Sequence, residues 1–108
     1  MIPTVDNLLA FSSALAGKTL TTLHRRKSFT VFVTGDTIEI TPGTGNVRNA
    51  DRKYLGALLE RMASTHSFRP SDYIDVTFNA SYMLALVKLW QDRRACNLLV
   101  ESGQLREL

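Results

Sequence analysis

The residues with the clearest chemical potential are cationic and clustered. Arg25, Arg26 and Lys27 stand together in "HRRK", Arg48, Arg52 and Lys53 follow in "NVRNADRK", and Lys18, Lys88, Arg93 and Arg94 complete smaller groups. Guanidinium and ammonium groups gathered on one surface bind phosphate by charge and by hydrogen bonds, the chemistry of a nucleic-acid backbone site. Thirteen basic against ten acidic residues give a net charge of +3, which tilts toward anionic partners without requiring one.

Other candidate motifs explain themselves more simply. "GKT" at Gly17 to Thr19 resembles the end of a phosphate-binding loop, but Ser12 stands where the first glycine is needed, and the order runs helix to strand instead of strand to helix. "GTGNVR" has Arg48 in place of the third glycine of a dinucleotide fingerprint and follows a hairpin, so turn chemistry accounts for it. Asp36 and Glu39 lack the lysine of a nuclease motif, since Thr41 occupies its place. Asp72 and Asp75 have no third ligand in sequence reach, and His24 and His66 read as surface residues. No catalytic residue, metal site or cofactor is expected.

The elements that must position these groups follow from periodicity. Thr4 suits an N-cap and Asp6 the positive end of a helix over Val5–Ala16, with Gly17 as its stop. "KTLTTL" and "SFTVFVT" read as strands, and Gly35-Asp36 between alternating runs marks a tight hairpin into "TIEIT". Phe29, Val31, Val33, Ile38 and Ile40 should form the buried sheet face. Asn49 is placed to cap a second helix over Ala50–Ala63, with an apolar stripe of Tyr54, Leu55, Leu58, Leu59 and Met62.

Residues 64–78 read as loop around Pro70, with weak alternation of Tyr73, Ile74, Val76 and Phe78 that would support at most a short strand. Asn79 is placed to cap a third helix to Gln91, apolar on nearly all sides, and Asp92 to Ser102 reads as a short C-terminal helix ending before Gly103. At 108 residues there is room for one domain, residues 1–108. The expected fold is α+β in the order α-β-β-β-α-α, a mainly antiparallel three-stranded sheet with the second and third helices on one face and the first alongside. The lone Cys96 cannot form an internal disulfide and fits a cytoplasmic setting; the first 17 residues read as part of the fold, and no run reaches the ~20 apolar residues that span a bilayer.

This topology brings the basic groups together. If "HRRK" joins the first two strands, it lies opposite the Gly35-Asp36 turn, and the third strand returns to it. Arg25, Arg26, Lys27, Arg48, Arg52 and Lys53 would then share one rim, with the second helix aiming its positive end outward from the same place. No aromatic residue stands within either basic cluster, which favours double-stranded DNA over a single strand.

The run "GKTLTTLHRRKSFTVFVTGDTIEITPGTGNVRN" followed by "TFNASYMLALVKLW", about Gly17 to Trp90, resembles small prokaryotic α+β modules of restriction or phage-defence systems. The resemblance implies a prokaryotic, DNA-related setting and assigns no residue a role. The leading expectation is a non-catalytic module holding phosphate backbone through the rim. The alternatives are a protein-interaction or homo-oligomeric module, a homodimer through the Tyr82 to Trp90 helix being its concrete form, and, third, a small hydrolase or nuclease.

Overall fold

The computed structural model describes residues 1–77 and 79–101, with side chains as far as Arg94. The chain runs α1 (Val5–Ala14), β1 (Leu20–Thr21), β2 (Ser28–Thr34), β3 (Thr37–Pro42), β4 (Arg48–Ala50), α2 (Arg52–Thr65), a 3-10 turn (Pro70–Tyr73) and α3 (Ala80–Glu101). Phe78 and the helix stop expected at Gly103 lie outside the described residues.

Thr4 starts α1 as its sequence suggests. Its Oγ1 accepts from Asn7 N at 3.0 Å, and Asn7 Oδ1 accepts from Thr4 N at 3.4 Å, a reciprocal cap whose loss costs about 1 kcal/mol. The helix stops at Ala14, and Gly17 follows in the left-handed region at φ +79°.

The hairpin register is the expected one. Thr34 pairs with Thr37 across Gly35-Asp36, Gly35 has φ +60°, and Asp36 is not among the residues with positive φ, the pattern of a II′ turn. Val31 faces Ile40 and Val33 faces Ile38. Phe29, Val31, Ile38 and Ile40 are buried and Val33 is half-buried, whereas Phe32 and Thr34 on the opposite face are exposed.

The sheet has four strands, not three, in the order β1-β2-β3-β4 with every neighbour antiparallel. Residues 43–47 turn the chain back, and β4 pairs Arg48 with Ile40, Asn49 with Glu39 and Ala50 with Ile38. Three residues are too few to alternate recognisably. Asn49 is therefore a strand residue, and Asp51 caps α2, its side chain accepting from Tyr54 N at 3.2 Å.

The helices cover one sheet face, with a change of roles. The helix expected at the side, α1, lies against both β2 and β3 and touches α2 and α3. Leu8, Leu15, Leu55, Leu58, Met62, Met83, Leu84 and Leu86 fill the space between the layers. From the stripe of α2, Tyr54 is instead exposed. Met83 to Val87 are all buried within one chain, so the all-round apolar stretch of α3 is consumed by its own domain; Tyr82, Leu89 and Trp90 are half-buried.

No break falls at Gln91. The helix continues to Glu101 because "DRRACNLLVE" contains neither Pro nor Gly, and Lys88 Nζ meets Asp92 Oδ1 at 3.3 Å across the expected boundary. Asn79 starts α3 through its carbonyl, which accepts from Tyr82 N and Met83 N; its side chain donates instead to Asn49 O at 3.1 Å, tying the helix start to β4.

Between α2 and α3 no strand forms among the described residues. His66, at φ 54°, closes α2 by donating to Met62 O, and Pro70 opens the 3-10 turn. Buried Tyr73 donates to Ser67 O at 2.7 Å, and Arg61 holds both carboxylate oxygens of Asp75 at 2.9 and 2.8 Å. No helix among the described residues is long and apolar enough to cross a membrane.

Candidate anion-binding cleft

The six expected rim residues divide between the two ends of the sheet. The β1–β2 loop leaves beside the Thr21–Ser28 pair, whereas β4 runs back along β3 and delivers α2 to the Gly35-Asp36 end. Six residue steps along β2 separate these ends by about 20 Å. Arg52 and Lys53 are thus removed from Arg25, Arg26 and Lys27, and the fourth strand is the cause.

Arg52 has a structural occupation. Its Nε donates to Asp36 Oδ2 at 3.1 Å and its Nη2 to Asp36 Oδ1 at 3.3 Å, and Nη2 also meets Asp6 at the start of α1. These bonds hold the Asp36 carboxyl below its ordinary range and push the guanidinium further from deprotonation. Lys53 Nζ sits 5.9 Å from the centre of the Tyr54 ring. Nor is the start of α2 open to phosphate in the way expected, because the Asp51 carboxylate already serves Tyr54 N.

Arg25, Lys27 and Arg48 stay together and gain a partner. They line one cleft of about 550 Å³ with His24, Arg69 and the Phe68–Ser71 segment, closed by Ser81, Tyr82 and Leu84 of α3. Among the described residues no Asp or Glu lines it. Among the described residues none of Arg25, Lys27, Arg48 and Arg69 forms an ion pair, in contrast to Arg52 and Arg61. Four cationic groups that form no ion pair among the described residues create a field that attracts anions, strengthened where low-dielectric walls limit screening.

Two loops are built to hold this arrangement. In the β1–β2 loop, Thr22 N donates to Lys27 O at 3.0 Å and Lys27 N returns to Thr22 Oγ1 at 3.0 Å, closing a tight loop whose four inner residues include His24, Arg25 and Arg26. Arg26 adopts φ 55°, a left-handed backbone uncommon for arginine, and its side chain is not among those lining the cleft. His24 Nε2 and the Phe68 carbonyl oxygen stand 3.0 Å apart and bridge the two walls. Arg48 Cζ lies 5.9 Å from the centre of the Tyr82 ring, a cation–π contact that steers the guanidinium toward the cleft floor formed by α3.

The other sequence candidates are absorbed into structure. Asp75 is held by Arg61, which lowers its carboxyl's pKa chiefly through the side-chain hydrogen bonds, and Asp72 accepts from Ser67 Oγ. Glu39 accepts from Thr34 Oγ1 at 3.1 Å. Arg69, Phe68 and Tyr82 are the site residues that sequence reasoning missed. Arg69 is separated by many residues from either basic cluster, and only a fold that returns residues 68–71 to the β1–β2 loop reveals it.

Comparison of the chain with models of protein families, with curated proteins and with solved structures finds no match to any of the three.

Proposed function

We propose that this protein is a non-catalytic binding module that holds nucleic-acid phosphate backbone in the cleft between the β1–β2 loop and the 3-10 turn. The observation that carries the reading is the convergence of Arg25, Lys27, Arg48 and Arg69 on one cleft with no acidic residue along its lining among the described residues. Structural cations in this fold have carboxylates, as Arg52 and Arg61 do. Among the described residues the cleft cations form no ion pair, which leaves their charge available to an external anion. Among the described residues no three His, Cys, Asp or Glu side chains gather where they could hold a metal ion, and the His24 ring nitrogen Nε2 is engaged by the Phe68 carbonyl oxygen at 3.0 Å.

The test is binding of a labelled oligonucleotide, single-stranded and duplex, by fluorescence anisotropy across a salt series. Each phosphate neutralised contributes roughly 0.7 to 0.9 to the slope of log K against log salt, so Arg25, Arg48 and Arg69 replaced together by alanine should flatten that slope by about 2 to 3. Absence of binding by the parent at low salt, or an unchanged slope in the triple variant, would transfer the lead to the protein-interaction reading, for which Tyr82, Leu89 and Trp90 retain partly open surface.

A further inference from the structure

Charge alone would be served by a convex basic surface, but these cations surround a recess. The floor and walls of that recess include buried Leu84, half-buried Tyr82 and Phe68, and Pro70. Its volume, about 550 Å³, falls within the range of about 300 to 1,000 Å³ typical of sites that enclose small molecules. A duplex presents its phosphates on the outside of a rod about 20 Å wide, with the bases stacked inside and accessible only along the grooves. Such a rod can touch Arg25, Lys27 and Arg69 at the mouth, yet it cannot bring any apolar surface against Leu84 or Tyr82. An unpaired nucleotide can do both, because its base is free to leave the stack while its phosphate stays outside.

We infer that the cleft accepts one unpaired nucleotide of a nucleic-acid strand, its base packed against Phe68 and beside the stacked Arg48–Tyr82 pair and its flanking phosphates held by Arg25, Lys27, Arg48 and Arg69. The inference rests on the phosphate-binding reading above and reverses the duplex preference expected from the sequence. The hydroxyl of Thr22, which accepts from Lys27 N, also lines the cleft and is free to donate to the base edge or sugar. Bases stacked on or packed against aromatic side chains gain about 1 to 3 kcal/mol each, so a single inserted base corresponds to a preference of roughly tenfold for single strand over duplex.

The deciding variant fills the recess and leaves every cation in place. Ser81 is half-buried in the first turn of α3 and faces the cleft, so Ser81→Phe obstructs the base position. Ser71→Phe, at an exposed position on the opposite wall, serves the same end if the first variant melts early by circular dichroism. Affinities are measured for a labelled 12-nucleotide single strand and the matching duplex, with adenosine monophosphate as competitor. The expected result is about tenfold tighter binding of the single strand by the parent, loss of that difference in the filled variant with duplex affinity unchanged, and displacement by the mononucleotide only far above the strand's own Kd. Equal binding of both forms, unaltered by filling, overturns the inference and leaves the phosphate reading standing. Displacement by the mononucleotide at the strand's Kd overturns it in favour of a free nucleotide. Binding of neither form at low salt removes the phosphate reading and this inference with it.

Discussion

Arg52 holds Asp36 through two nitrogens, from the first turn of α2 to the tip of the β2–β3 hairpin sixteen residues earlier. Because the same guanidinium also reaches Asp6, the starts of α1 and α2 and the hairpin tip are tied at one point. That point lies at the end of the sheet away from the cleft. Arg52 belongs to the architecture, whereas Arg48, only four residues earlier, belongs to the candidate site.

The two arginines should therefore part company in a binding experiment. Arg48→Ala is expected to weaken oligonucleotide binding and reduce the salt slope by nearly one unit, the contribution of one phosphate contact. Arg52→Ala should leave affinity and slope unchanged while lowering thermal stability slightly, by an amount that shrinks in high salt because the pairs are exposed. Equal losses of affinity in both variants would contradict the division of the rim.

Where the sequence carried strong periodic or turn signals, its reading survived in the fold. Thr4, Gly35-Asp36 and the alternation of Phe29 to Val33 act through neighbours in sequence, and their geometry is local. The failures share a cause. A strand of three residues, Arg48 to Ala50, has no period to detect, yet it reverses the chain and decides at which end α2 begins. The candidate site inherited that error, since grouping Arg48 with Arg52 depended on the path between them. Arg69 and Tyr82 join the cleft only through long-range packing of the 3-10 turn and α3, and Tyr82 lies in a run whose apolar character conceals its separate use.

Acid should expose the contribution of the two arginine–aspartate pairs. Hydrogen bonds from Arg52 and Arg61 lower the pKa of Asp36 and Asp75 in the folded state below the ordinary value of 3.8. A depressed folded pKa contributes stability that is fully present above the unfolded value and is lost as pH falls through the folded one. Melting temperatures of the parent and the Asp36→Asn, Asp75→Asn double variant should differ at pH 7 and converge as pH falls below about 4. A difference that persists undiminished in acid would mean that packing, not ionisation, holds these contacts.

Ser12 offers a stabilising change inside the core. Its Oγ is buried in α1 without a hydrogen-bond partner among the described residues, a desolvated hydroxyl with nothing to compensate it. Ser12→Ala removes that group and installs the best helix former. Stability should rise by about 1 kcal/mol, read as a higher denaturant midpoint at constant m-value. A fall in the midpoint would show that the hydroxyl is satisfied in solution, for instance by a carbonyl of the preceding turn.

Two glycine-to-alanine substitutions should act with opposite signs. Gly56 lies inside α2, and among the described residues a Cβ there would meet only Val5 Cγ2, at an ordinary contact distance of 3.8 Å. Alanine at that position gains helix propensity and restricts the unfolded chain, so Gly56→Ala should stabilise by about 0.5 to 1 kcal/mol. At Gly35 the space is even more open, with nothing within 4 Å of a Cβ, yet the backbone stands at φ +60°. An L-residue in that conformation costs about 1 to 2 kcal/mol, and the hairpin that sets the β2–β3 register depends on it. Gly35→Ala should therefore destabilise despite the absence of any clash, and Gly35→Asn should recover little of the loss because asparagine tolerates the left-handed helical region and not the first central position of a II′ turn. Chemical denaturation of the three variants decides the matter: a neutral Gly35→Ala would mean that the turn relaxes to another type without disturbing the Thr34–Thr37 pair, and a destabilising Gly56→Ala would mean that α1 and α2 pack more closely at Val5 than the 3.8 Å contact allows.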